Sequence, residues 1–96
     1  MGHPFDKETK IFAAQIRAGR GLLDWSQDDL ATHSGISRTV IARLEAGQTD
    51  ARTSTTLSIR SAFKTAGLRL VDDDGGWFGV LTSRKSTSHW DDNTSS

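Results

Sequence analysis

The chain contains no cysteine, which excludes a disulfide framework, a thiolate nucleophile and a cysteine-based zinc site and makes the cytoplasm the expected compartment. Stability then has to come from packing or from a partner chain. No apolar run approaches the roughly 20 residues that a membrane span needs, and the charged start Met1–Glu8 lacks the apolar stretch of a secretory signal. No membrane partner is expected. Net charge is also missing, since 12 Lys and Arg balance 12 Asp and Glu. Hydrophobic residues are scarce, 34% of 96 positions, and polar residues crowd toward the C-terminus. A single small domain of about 80 compact residues is the most the chain can build. His3, His33 and His89 are far apart with no ligand spacing, so no metal and no cofactor is expected. No Ser, His and carboxylate set sits in a supporting motif, and an enzyme is not expected.

What is present is helical periodicity. Between Asp6 and Leu22, residues Ile11, Phe12, Gln15, Ile16 and Gly19 share one face, which predicts a first helix. Lys7, Lys10 and Arg17 read as its solvated face. Gly19 and Gly21 are expected to loosen its end, with Leu23 and Trp25 returning to the core. Ser26 is a good N-cap for a second, short helix to His33 or Ser34, because its hydroxyl can accept from the Asp29 amide and Asp28 and Asp29 suit the positive helix end. After Gly35, Ser37 caps a third helix, Arg38–Ala46, closed by Gly47. Val40, Ile41 and Leu44 form its packing side, leaving Ser37, Arg38, Thr39, Ala42 and Arg43 as a polar, basic face. A fourth helix is expected over Thr55–Ala66, with Ile59, Ala62, Phe63 and Ala66 as its stripe and Leu57 off it. Period-two alternation in Leu68–Val71 and Trp77–Thr82, around Asp72–Gly76, predicts a β-hairpin. Asp72–Gly76 lacks the alternating ligand spacing of a calcium loop and reads as the hairpin turn.

Two short helices separated by a tight turn, the second with an exposed basic face, make a helix-turn-helix. At Arg17–Arg20, Trp25–Ala31, Ser34–Ser37 and Ile41–Gly47 the sequence resembles the phage-repressor-like, or xenobiotic-response-element (XRE, Cro-type), family of helix-turn-helix transcriptional regulators. The resemblance, which covers roughly Ile11 to Gly67, implies a mainly α fold with a four-helix repressor-like domain over residues 1–67; the period-two pattern adds a C-terminal β-hairpin at 68–82, and the polar, low-complexity composition a disordered tail at 83–96. The resemblance also implies roles. Ser37, Arg38, Thr39, Ala42 and Arg43 match the positions that meet base edges in the major groove, with Arg38 able to pair with both O6 and N7 of guanine. Ser26 and Gln27, at the start of the second helix, match a backbone-phosphate site, and Gln48, Thr49 and Arg52 are further phosphate candidates. Arg20 and Glu45 match a structural ion pair. One departure from the family pattern is Thr56, which stands where a leucine usually starts the fourth-helix stripe.

A lone hairpin is marginal in water and needs a surface. Leu57, Leu68, Leu70, Trp77, Phe78, Val80 and Leu81 are therefore the expected dimer interface, placing two third helices about 34 Å apart on a palindrome. The alternative is a hairpin folded back on its own helices in a monomer. The expected partners are double-stranded DNA and a second copy, with a further protein partner possible through the hairpin or tail. The expected function is a prokaryotic repressor. The alternatives are the antitoxin of a toxin–antitoxin pair, and an anti-activator module that keeps the fold without binding DNA. The charge balance accommodates these readings. Residues 1–71 hold ten basic against seven acidic side chains, and residues 72–96 hold two against five. A mildly basic helical part predicts modest, salt-dependent affinity per protomer, which pairing raises.

Overall fold

The computed structural model describes residues 7–83. The expected tail beyond Ser83 and the expected helix start at Asp6 lie outside the described residues. In chain order the elements are α1 Lys7–Leu23, α2 Gln27–Ser34, α3 Arg38–Glu45, α4 Thr53–Thr65, β1 Leu68–Asp72 and β2 Phe78–Thr82. The fold is mainly α with a C-terminal antiparallel hairpin.

Local chemistry sets the helix ends. α1 runs through Gly19 and Gly21 without loosening. Gly19 is buried, and a Cβ there would lie 2.8 Å from Cζ of Phe63. The residue is small because α4 packs close to it. The helix stops instead at Asp24, which adopts a left-handed φ of 59°. There the Trp25 amide donates to the Arg20 carbonyl and the Asp24 amide to that of Gly21, a Schellman ending with Asp in the place usually taken by Gly. α2 opens with a reciprocal capping box: Ser26 Oγ accepts from the Asp29 amide, and the Ser26 amide donates to Asp29 Oδ2, each at 2.9 Å. Gly35, at φ 75°, closes it. α3 is capped by Ser37, whose hydroxyl accepts from the Val40 amide at 3.2 Å, and ends at Gly47. α4 begins two residues before the expected Thr55, with Arg52 at its N-cap position.

Ile16, Leu30, Ile41, Leu44, Ile59, Ala62, Phe63 and Leu68 form one buried cluster drawn from all four helices and β1. Trp25 and Leu23 pack against it as expected. In the hairpin, Leu68 faces Thr82, Leu70 faces Val80 and Val71 faces Gly79. Alternation therefore places Leu68, Leu70 and Val80 on one face, and that face lies on the core: Leu68 belongs to the buried cluster, while Leu70 and Val80 are half-buried against it. These three residues, expected at a dimer interface, pack at least in part on the chain's own core. The turn is held by Asp73, whose Oδ1 accepts from the amides of Gly75 and Trp77 at 3.0 and 2.9 Å.

Gln15 is the one buried polar residue on the hairpin side of α1. Its Nε2 donates to the carbonyls of Val71, at 2.9 Å, and Gly79, at 3.2 Å, binding α1 to both strands.

Candidate nucleic-acid interface

Ile41 and Leu44 are buried in the core and fix the roll of α3. With those two turned inward, Ser37, Arg38, Thr39 and Arg43 are exposed and Ala42 is half-buried. Thr39 and Arg43 are four residues apart and therefore share a face. Val40, expected on the packing side, is exposed instead. It borders a shallow hollow between α3 and the following loop, lined also by Arg43, Leu44, Thr49, Asp50, Ala51, Arg52 and Thr55. That hollow brings Arg43, Thr49 and Arg52 onto one continuous surface. Gln48 is exposed beside it, its amide donating to the Arg43 carbonyl at 3.0 Å.

The first turn of α2 lies against the first residue of α3. Arg38 Nε is 3.5 Å from Asp28 Oδ1, with both side chains well exposed, 65% and 75%. Ser26 and Gln27 stand at the same helix start, where unpaired amides and the helix dipole favour an anion. The Ser26 hydroxyl oxygen is engaged in the capping box, and Gln27 donates through Nε2 to Glu45 Oε1 at 3.2 Å.

Glu45 is the hub beneath this surface. It is only 6% exposed, so its charge needs partners. Arg20 supplies a bidentate pair, with Nε to Oε2 at 2.6 Å and Nη2 to Oε1 at 2.8 Å, and its Nη1 donates to the Trp25 carbonyl at 2.9 Å. Hydrogen bonding to Glu45 raises the Arg20 pKa above its usual value, against a smaller opposing effect of burial. Arg17, read from sequence as solvated, donates through Nη1 to the Glu45 backbone carbonyl. α1 thus holds the C-terminal end of α3 at two points, while α2 touches it through Gln27.

The remaining apolar candidates are exposed. Trp77 is 78%, Leu81 57% and Phe78 44% exposed. Leu57 is exposed elsewhere, in a hollow between α2 and α4 lined by Trp25, His33 and Ser61 and by no hairpin residue. His33 stacks on Trp25, ring centroids 4.1 Å apart. Among the described residues no group of His, Cys, Asp and Glu is placed to hold a metal ion, and no helix is long and apolar enough to cross a membrane. Sequence reasoning missed Asp28 as a neighbour of Arg38, and it missed the reach of Gln15 and Arg17. Only Asp28 carried a legible signal, a carboxylate surplus to the capping box.

An exposed basic helix braced on two others, with a helix N-terminus beside it, defines a DNA-binding helix-turn-helix regulator. Residues 16–66, more than half of the chain, match the helix-turn-helix family model HTH_3, and the chain belongs to this XRE/Cro-type helix-turn-helix family. It is a family of DNA-binding regulatory domains, not of enzymes. Among curated proteins none matches the chain significantly.

Proposed function

We propose that this protein is a prokaryotic, cytoplasmic repressor that occupies a palindromic operator as a homodimer. The observation that carries the reading is the exposed row Arg38, Thr39 and Arg43 on a helix rolled into place by Ile41 and Leu44. In this reading Arg38 pairs with a guanine, Thr39 and Arg43 meet neighbouring bases or phosphates, and Ser37 and Ala42 permit close approach. Ser26, Gln27, Gln48, Thr49 and Arg52 hold the flanking backbone and set register. Trp77 and Phe78 at the tip of the hairpin and Leu81 on its outer face support pairing, because each is a large apolar side chain left exposed to water.

Selection from randomised duplexes gives the operator, and a salt-titrated shift assay tests the roles. R38A is expected to relax preference at one base pair by about 1–3 kcal/mol, whereas Q27A weakens binding to all sequences alike. Unchanged duplex binding by both variants overturns the reading. Sedimentation of the W77S/L81S variant tests pairing, with a fall from dimer to monomer mass expected.

A further inference from the structure

We propose that Asp28 is a positioning residue for base readout: it holds the Arg38 guanidinium by its Nε edge and suppresses attachment to the wrong DNA. The inference rests on the proposed reading of Arg38. Asp28 is not needed to start α2, because Asp29 completes the capping box with Ser26. Its carboxylate instead lies 3.5 Å from Arg38 Nε. A guanidinium presents two hydrogen-bonding edges, and bidentate guanine recognition through O6 and N7 requires two parallel donors. With Nε turned toward Asp28, the two terminal Nη groups are left as the pair that meets a base end-on.

An exposed ion pair contributes little in water. Inside a groove, where water is displaced and the effective dielectric falls, the same contact strengthens and resists swinging of the long arginine side chain. Asp28 also stands at the helix start proposed to meet phosphate, where its negative charge opposes any duplex that offers Arg38 no guanine in return. The pairing therefore acts in two directions, raising discrimination and lowering non-specific affinity. The other acidic side chains near this surface are engaged elsewhere: Asp29 is turned into its cap, Glu45 is buried, and Asp50 accepts from the Thr9 hydroxyl.

The test uses the full chain and the duplex selected by the wild type, together with a duplex changed at the base pair to which R38A is indifferent. A bidentate arginine–guanine pair predicts wild-type discrimination of roughly 5- to 150-fold. D28A is expected to lower that ratio by about twofold or more, while binding a random duplex more tightly than wild type at low salt. D28N removes the charge but keeps an acceptor oxygen, so it should share the tighter random-duplex binding and recover part of the discrimination. Circular dichroism checks that α2 is retained in both variants. Unchanged discrimination in D28A, alongside a clear loss in R38A, overturns the role of Asp28 and leaves the proposed function standing. Equal loss in D28A and D28N with no gain in random-duplex affinity also overturns it. Absence of any base preference in the wild type overturns both proposals.

Discussion

Gly19 lies directly beneath the ring of Phe63, so close that a single added carbon would sit 2.8 Å from the ring's Cζ and 3.0 Å from Cε1. Phe63 is fully buried and has no solvent side to swing toward. G19A should therefore destabilise the domain: overpacking costs about 1–3 kcal/mol, against a gain of about 0.5–1 kcal/mol from replacing a helix-interior glycine. A net loss of up to about 2.5 kcal/mol in urea unfolding is expected, and a stabilised variant would show that α1 and α4 separate easily. G21A, where nothing lies within 4 Å, should be neutral or slightly stabilising.

The Arg20–Glu45 pair should respond asymmetrically. Glu45 is 6% exposed and Arg20 22%, so removing Arg20 leaves the more deeply buried charge with Gln27 as its remaining side-chain partner. R20M is expected to cost about 3 kcal/mol, the range for breaking a buried pair. E45Q keeps an acceptor and should cost about 1–2 kcal/mol. Thermal unfolding of both variants at one ionic strength checks the order.

Q15A removes both side-chain bonds between α1 and the hairpin. A loss of about 1–3 kcal/mol is expected, localised to the hairpin. Hydrogen exchange should accelerate at hairpin amides before it changes at the amides of α3. Uniform acceleration across the domain would mean that hairpin and helices open only together.

Acid should weaken the start of α2. The Ser26 backbone amide, and then its hydroxyl, hold the Asp29 carboxyl below its ordinary value of 3.8. A lowered folded-state value contributes stability that is fully present above the unfolded value and is lost as pH falls through the folded one. The stability difference between wild type and D29N should therefore be constant above about pH 5 and shrink below the ordinary carboxylate range. Denaturant melts between pH 2 and 7 measure it.

Residues whose partners are near in sequence were legible. The Ser26 and Ser37 caps and the glycine ends at Gly35 and Gly47 follow from spacing alone, because the bonds they make span no more than five residues. The family resemblance supplied the Arg20–Glu45 partnership across 25 residues. The sequence says less where the cause lies far along the chain without such help. Gly19 read as a helix weakener because its reason is Phe63. Gln15 was placed on the core face, but no pattern shows that its amide binds carbonyls 56 and 64 residues away. For Leu68, Leu70 and Val80, periodicity reveals an apolar face without naming what covers it, so a second chain and the chain's own helices both stay open in the sequence. Arg38 was recognised as exposed, whereas its carboxylate neighbour required knowing how α2 and α3 cross.

One helix carries both attachments. From α1, Gln15 holds the hairpin, while Arg17 and Arg20 hold the end of α3. The helix proposed to read DNA and the hairpin proposed to pair are thus clamped to a common bar by these contacts. In a pair joined through the hairpins, such a bar behaves like a fixed-jaw calliper. Adding one base pair between the half-sites rotates one of them by about 35° about the duplex axis. Under the proposed pairing such a protein would follow poorly and leave most of the correction to the twist of the DNA, so spacer length would join base sequence as a requirement on the proposed operator.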